Sequence, residues 1–441
     1  MVIVGAGLAG SLAAAYLARR GHAVAVYERR PDPRTAAAGE GRSINLGLSA
    51  RGMRALDALG LLGDVLKRSV PMRGRVVHHP GGTTAFQPYG VREDQILHSV
   101  LRAELNALLV DAAEAHGARV HFRRRLDRLD RDTPALRVVD EDTGAEEEIA
   151  ADLVVGADGA FSTVREQMQH GLRADVRREY LEWGYKELTI AAGPDGRPAV
   201  RLEALHVWPG EVGLMVAHPN LDGSLTATLF MPFEGDPSFA TLDTPGAVRR
   251  FMGRHFPDAA ALMPRLVEEF LDHPVGHLVT VRTAPWRHAD RVVLVGDACH
   301  AVYPFYGQGM NSAFEDCLVL DECLAQRPRD RAAALAAYEG RRRPHTDVLA
   351  ELSARNFVEL RDRVHRPAYT LKATADRLLT RLAPAAWSPL YTMVSHTTMP
   401  YAQALARARR QDRILRYAAG AAAAGVALAG YAVARRLSGR R

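Results

Sequence analysis

The sequence predicts an α/β chain: a Rossmann-type domain, interrupted by a layer of antiparallel strands and followed by a helical C-terminal region. Three observations carry this expectation. Residues 2–30 read as strand, Gly-rich turn, helix and strand. From about 180 to 280 the pattern has period two, as in His206-Val207-Trp208 and Leu225-Thr226-Ala227-Thr228-Leu229-Phe230. Beyond about 312 it is almost entirely helical.

Along the chain, Val2-Ile3-Val4 is a β-branched strand and residues 9–20 form a helix, with Leu8, Leu12, Ala15, Tyr16 and Leu17 at helical spacing. Gly21 suits the helix C-cap, and residues 23–27 make the second strand. A helical stretch covers 49–66, strands are expected at 75–77 and around Phe86, and a helix spans 99–116. Strand pieces then surround an acidic turn at 140–148 and end in Leu153-Val154-Val155. After the period-two layer, Val292-Val293-Leu294-Val295 returns to the first domain. The organisation expected is a first domain from 1–75, 99–178 and 285–340, with a second formed by 76–98 and 179–284. A helical region (341–412) and a tail (413–441) follow. No repeat of 20–50 residues is present.

Net charge is +6, and of the 57 basic residues only Lys67, Lys186 and Lys372 are lysines. The arginines are scattered rather than clustered, which argues against nucleic-acid binding. Cys299, Cys317 and Cys323 form no Cys-x-x-Cys, and no His cluster has metal-ligand spacing, so neither a metal nor a disulfide is expected. A reducing, cytoplasmic setting follows, and the chain opens on an apolar strand rather than on a signal-peptide pattern.

Gly5-x-Gly7-x-x-Gly10 lies between strand and helix, the context in which this motif binds a dinucleotide. Gly5 permits the tight turn, Gly7 lets the backbone approach a pyrophosphate, and Gly10 lets helix and sheet pack closely. The helix start supplies free N–H groups and positive potential. Glu28 ends the second strand, placed for a ribose hydroxyl, and an acidic residue there favours FAD or NAD over NADP.

Two more turns end apolar strands. One is Val154-Val155-Gly156-Ala157-Asp158-Gly159-Ala160-Phe161-Ser162-Thr163-Val164-Arg165, and the other Val295-Gly296-Asp297-Ala298-Cys299-His300. Asp297 is suited to ribityl or ribose hydroxyls. Pro304-Phe305-Tyr306-Gly307-Gln308-Gly309-Met310-Asn311 then leads into a helix whose start favours the charge of a reduced flavin. The three motifs in this order resemble the group A flavoprotein monooxygenases, with the para-hydroxybenzoate hydroxylase fold. That likeness implies FAD, with NADPH docking transiently near the Asp158-Gly159 turn, since no second Gly-x-Gly-x-x-Gly domain exists.

Longer stretches resemble the kynurenine 3-monooxygenase family. They are Gly41-Arg42-Ser43-Ile44-Asn45-Leu46, Ser99-Val100-x-Arg102-x-x-Leu105-Asn106, Gly184-Tyr185-Lys186-Glu187-Leu188-Thr189-Ile190, Thr228-Leu229-Phe230-Met231-Pro232-Phe233, Gly307-Gln308-Gly309-Met310-Asn311 with Phe314-Glu315-Asp316-Cys317, and Pro389-Leu390-Tyr391-Thr392-Met393-Val394. The resemblance implies that Arg75 and Tyr89, with Asn356 and Tyr391, hold the amino-acid end of L-kynurenine, and that Phe230 lines the aromatic pocket. A carboxylate calls for a bidentate cation, which Arg supplies.

The same likeness places flavin contacts at Ala9, Tyr27, Glu28, Arg29, Arg30, Gly47, Arg102, Leu126, Asp158, Thr163, Asp297, Pro304, Gly309, Met310 and Asn311. It implies hydroxylation of L-kynurenine to 3-hydroxykynurenine with NADPH and O2 through a C4a-hydroperoxyflavin. No acid or base is obligatory, because the ring amine activates the ortho carbon. The alternative is a related hydroxylase acting on another arylamine or tryptophan metabolite. Residues 417–434 are 18 uncharged residues flanked by arginines, about 27 Å as a helix, and form a candidate membrane anchor although mostly Ala and Gly.

Overall fold

The computed structural model describes residues 1–35, 44–79, 82–193, 195–210, 212–363 and 367–438. Gly41, Arg42 and Ser43 of the sequence motif lie outside them. The first layer is a six-stranded sheet in the order Arg287–His288, Val292–Leu294, Val154–Gly156, Val2–Val4, Ala25–Glu28, Arg119–Phe122. All of its pairings are parallel except the outermost, between Arg287–His288 and Val292–Leu294. Val2 pairs with both Ala25 and Val154, so this strand lies in the interior of the sheet. Inner parallel strands are covered on both faces and read as short apolar runs, as Val2–Val4, Val154–Gly156 and Val292–Leu294 do. The helix Leu8–Arg19 covers one face, packed against the helices Arg102–Ala115 and Gly309–Gln326.

A second, seven-stranded sheet runs Gly276–Ala284, Asp175–Ile190, Leu225–Pro232, Leu214–Pro219, Leu205–Trp208, Gly74–His78, Thr84–Pro88. It is not wholly antiparallel as expected: Leu205–Trp208 and Gly74–His78 run parallel. Side chains alternate across a strand, so this sheet has two different faces. One face carries Leu188, Ile190, Met215, Ala217, Ala227 and Leu229, packed against Val248, Phe251, Met252 and Phe270. Those partners come from the helices Pro245–His255 and Leu266–Asp272, which with the short helix Pro257–Ala260 lie inside the stretch expected to be all strand. The opposite face looks into a cavity.

Two smaller antiparallel sheets complete the β structure: Arg124–Asp130 with Ala135–Asp140 and Glu146–Ala150, and Asn45–Leu48 with Leu97–Leu101 and Ser69–Met72. The second shortens the helix expected from 99, because Ser99 and Val100 pair with strands on both sides and Leu101 with Asn45. The single helix expected over 49–66 is two, Ala50–Asp57 and Leu62–Lys67, separated by Gly60 at φ +75°. C-terminal to these layers come the helices Arg331–Val358, Pro367–Leu382, Leu390–Ser395 and Tyr401–Ser438. No helix among the described residues is long and apolar enough to cross a membrane. The Ala- and Gly-rich composition of 417–434 explains this, so the spanning anchor finds no support.

Candidate functional site

A cavity of about 1330 Å³ lies between the two large sheets and the C-terminal helices. It exceeds the roughly 300–1,000 Å³ of an ordinary small-molecule site, so it has room for a dinucleotide ring system and a second small molecule. Gly7, Ala9, Gly47, Arg102, Asp297, Pro304, Gly309 and Met310 open onto it from the first layer. Arg75, Tyr89, Phe230, Asn356 and Tyr391 open onto the same space from the other side. Residues far apart in the chain, expected from sequence to serve two different ligands, thus face one cavity from opposite walls.

Several features fit FAD. A Cβ on Gly10 would stand 1.9 Å from the Gly5 carbonyl oxygen, and one on Gly5, at φ +99°, would stand 2.6 Å from the Ala157 oxygen. Both glycines are therefore needed for the packing of turn, helix and sheet. Gly7 and Gly47 differ: a Cβ on either meets nothing within 4 Å, leaving space beside the backbone for a ligand. The helices Leu8–Arg19 and Gly309–Gln326 both start at this cavity without a side-chain cap, so their N–H groups and positive ends are available to an anion. Asp297 lies deep in the protein, yet its surface is exposed, because that surface faces the cavity. Burial pushes its carboxyl up, while His300 and Arg102 pull it back. Among the described residues no donor meets this carboxylate, which suits an acceptor waiting for ligand hydroxyls.

The remaining expected flavin contacts stand behind this wall. Glu28 accepts from Ala6 N at 2.7 Å and from Arg30 N at 2.9 Å, bracing the Gly-rich turn. Tyr27 stacks on His121 at 4.9 Å, Arg29 and Arg30 are exposed beyond the strand, and Leu126 is buried in the first core. Asp158 accepts from Ser162 Oγ and Val164 N, closing the turn before the helix that begins at Thr163. Asn311 donates to the carbonyls of Gly47 (2.8 Å) and Gly307 (3.0 Å) and accepts from Ser49 N, holding two cavity-lining backbones in place.

Behind these loops lie charged braces that sequence reading missed. Buried Arg165 donates to the carbonyls of Ala160 and Ala298, both at 2.8 Å, and so ties together the two Gly-Asp loops. Asp316, with no side-chain exposure, accepts from Gly296 N at 3.0 Å, from Arg342 Nε at 2.7 Å, and pairs with His300 Nε2. Burial alone would raise its carboxyl, but His300 and Arg342 outweigh burial and hold it below the usual range. Cys299, His300 and Asp316 form a cluster of metal-ligand type. Its carboxylate is already committed to three donors, and burial holds the Cys299 thiol far above its usual range, hence protonated, so the cluster is an ion-pair network.

On the opposite wall, Arg75 from the strand Gly74–His78 lies over the Tyr391 ring, its Cζ 5.3 Å from the centroid. Tyr89 and Tyr391 stack at 5.6 Å. Burial raises both phenols, which stay protonated as donors, while Arg75 pulls both back. The Tyr89 hydroxyl is buried beside that of Tyr391. Asn356 Nδ2 donates to Phe305 O at 2.6 Å. Phe230 packs on Phe305 at 5.1 Å and Tyr185 at 6.2 Å, and Phe305 on Phe357 at 4.6 Å, giving an aromatic slot. Phe305, Tyr185, Leu205, Val216 and His218 also line the cavity and were not singled out from sequence. Strand parity with Phe230 and Thr228 is the signal that points to Val216 and His218.

Comparison with known proteins is consistent along the chain. A family described as FAD binding domain matches residues 1–353. The chain is 69% identical to kynurenine 3-monooxygenase of Salinispora arenicola, over all of this chain and 97% of that protein. It is 43% identical to kynurenine 3-monooxygenase of Myxococcus xanthus, over 91% of this chain and 86% of the other. Among solved structures, Pseudomonas aeruginosa PqsL in complex with 2-aminobenzoylacetate matches with TM-score 0.67 and 26% identity, over 82% of this chain and 96% of that one. A tetrameric 2-methyl-3-hydroxypyridine-5-carboxylic acid oxygenase matches the fold, with TM-score 0.67 and 23% identity over 83% of this chain and 94% of that one.

Proposed function

The chain belongs to the kynurenine 3-monooxygenase family of FAD-binding proteins, and from that membership we propose that it hydroxylates L-kynurenine to 3-hydroxykynurenine. It is an FAD-dependent monooxygenase, with NADPH as reductant and O2 as oxidant. What supports the reading of the site is one observation: a cation and two phenols suited to an amino-acid end share a cavity with the glycine-lined backbone suited to FAD. When bound, FAD supplies the reduction by NADPH and the activation of O2.

The chain's own residues have three tasks in this reading. Arg75 grips the substrate carboxylate through paired hydrogen bonds, and Tyr89, Tyr391 and Asn356 orient the rest of the amino-acid end. Phe230, Phe305 and Tyr185 hold the aryl ring flat in an apolar slot and keep water from it. The uncapped helix starts at Gly7 and Gln308 offer N–H groups to negative charge on the cofactor. No side chain need move a proton for the ring to react, because the ring amine already donates electron density to its ortho carbon. Three buried free cysteines support a reducing, cytoplasmic setting, and the tail has no bilayer-spanning role in this reading.

The test is direct. Purified protein loaded with FAD oxidises NADPH faster when L-kynurenine is added, and the product is heavier by one oxygen atom. Absence of stimulation at every kynurenine concentration removes the proposal.

A further inference from the structure

We propose that His218 is a substrate-contacting, specificity-determining residue, its imidazole accepting a hydrogen bond from the ring amine of the aromatic substrate. This rests on the function proposed above and deepens it, by naming the group on the protein that reads the ortho-amino substituent.

The placement comes from the sheet. Arg75 pairs with Leu205 across parallel strands, and His206 pairs with Ala217 across antiparallel ones. The next pair in that register is Leu205 with His218. Arg75, Leu205 and His218 therefore form one cross-strand row, and all three face the cavity. Neighbouring strands are about 4.8 Å apart, so the backbones of Arg75 and His218 are about 10 Å apart. Leu205 also packs in the cluster of Tyr89 and Tyr391, which joins the row to the expected carboxylate clamp. An amino acid with its carboxylate on Arg75 and its aryl ring along this row brings an ortho substituent to His218.

The other side of His218 meets the cofactor wall. Asn45 Nδ2 donates to the carbonyl of Pro219 at 3.1 Å and to Asn220 Oδ1 at 2.7 Å, tying the end of the His218 strand to the strand that carries Gly47. His218 thus stands between the amino-acid clamp and the expected flavin edge, where the reacting part of the ring must lie.

Its chemistry fits an acceptor. Neither ring nitrogen of His218 has a hydrogen-bond partner among the described residues, whereas His78, His206, His273 and His300 each have at least one. A leucine would fill this wall without leaving polar nitrogens unpaired, so the imidazole is suited to a partner that arrives with the ligand. Burial lowers its pKa to about 4, so the ring is neutral and carries one free lone pair near neutral pH. An acceptor on the amine N–H pushes electron density toward the ring and favours electrophilic oxygen transfer. An imidazolium in the same place would withdraw it.

The experiment compares two ligands on the FAD-loaded protein without NADPH: L-kynurenine and its desamino analogue, 3-benzoylalanine, each titrated by flavin fluorescence. The preference for kynurenine over the analogue falls by about 3- to 10-fold in His218→Leu, the worth of one neutral hydrogen bond. His218→Gln, which keeps an acceptor, restores part of it. An unchanged preference in His218→Leu overturns the proposal. Because a variant can fail to hold FAD, a second measurement uses the unaltered protein labelled with 15N-histidine. The His218 ring nitrogen signal moves with kynurenine and not with 3-benzoylalanine, and equal movement with both overturns the proposal. Failure of the unaltered protein to bind or turn over kynurenine sinks the function and this inference together. Turnover of kynurenine with an unaltered ligand preference sinks this inference alone.

Discussion

Replacing Asp316 by Asn keeps the shape of the side chain and removes one charge from the centre of the protein. Asp316 is wholly buried and Arg342 has 3% side-chain exposure, so water cannot take over either charge. Arg342 keeps Glu315, but its Nε loses a charged acceptor that stood at 2.7 Å, and His300 loses its carboxylate partner. Breaking a buried pair by removing one partner costs about 3–5 kcal/mol, and the surviving Glu315 places this case near the lower end, about 3 kcal/mol. That is a large share of the roughly 5–15 kcal/mol that holds a folded domain. The carboxylate also accepts from Gly296 N, directly before Asp297, so its loss loosens the cofactor loop as well as the core. Urea unfolding followed by circular dichroism should show a lower midpoint at unchanged slope, and FAD should dissociate more readily. A variant within 1 kcal/mol of the parent, with unaltered FAD affinity, would refute the reasoning.

Other outcomes follow from the same geometry. Arg75→Ala weakens L-kynurenine by about 1.5–3 kcal/mol, roughly 10- to 150-fold in Kd, and leaves FAD content unchanged; an unaltered Kd excludes Arg75 from the site. Gly10→Ala prevents normal folding of the FAD-binding layer, because its Cβ would collide with the Gly5 carbonyl oxygen, whereas Gly7→Ala folds and binds FAD more weakly, since its methyl enters open space beside the cavity. Thermal melts with and without FAD separate the two, and equal behaviour counts against the distinction. Burial lowers the His218 pKa from its ordinary 6.5 to about 4, so its neutral burial favours the folded state above pH 6.5. That contribution, on the order of 3 kcal/mol, is lost as pH falls from 6.5 to 4. His218→Leu should lose less stability over that window than the parent, measured by urea midpoints at each pH, and an identical acid profile contradicts it.

Local features were legible in the sequence. The Gly-rich turn, its helix and Glu28 are consecutive and need no distant information, and the first strand and helix fall within a residue or two of their expected places. The five expected substrate contacts, which rested on family likeness rather than residue chemistry, all reach one cavity. What escaped depends on distant partners. The strand at 97–101 takes three residues from an otherwise helical pattern because Asn45–Leu48 and Ser69–Met72 flank it. The three helices between 245 and 272 were hidden by the period-two pattern on either side, although Thr244 and Pro245 give a local helix-start signal. Asp316, His300 and Arg342 are 16 and 26 residues apart, and nothing in their spacing announces that they meet. Nor could the sequence say which face of the Leu214–Pro219 strand meets helices and which meets ligand; that choice decides whether His218 is packing or chemistry.

The order of strands in the parallel sheet has a consequence for how the chain is made. Val2–Val4 leaves the ribosome long before its partners: one of its two neighbours, Val154–Gly156, is some 150 residues behind it, and Val292–Leu294 beyond that is later still. At roughly 5–20 residues per second, the opening strand waits about 8–30 s for the first of these and twice as long for the second. Until then its edge is an unpaired apolar template, shielded by Ala25–Glu28 on one side only. Translation halted before about residue 310 would release a nascent chain without Asp297's companion loop, prone to stick to its siblings rather than to capture a coenzyme.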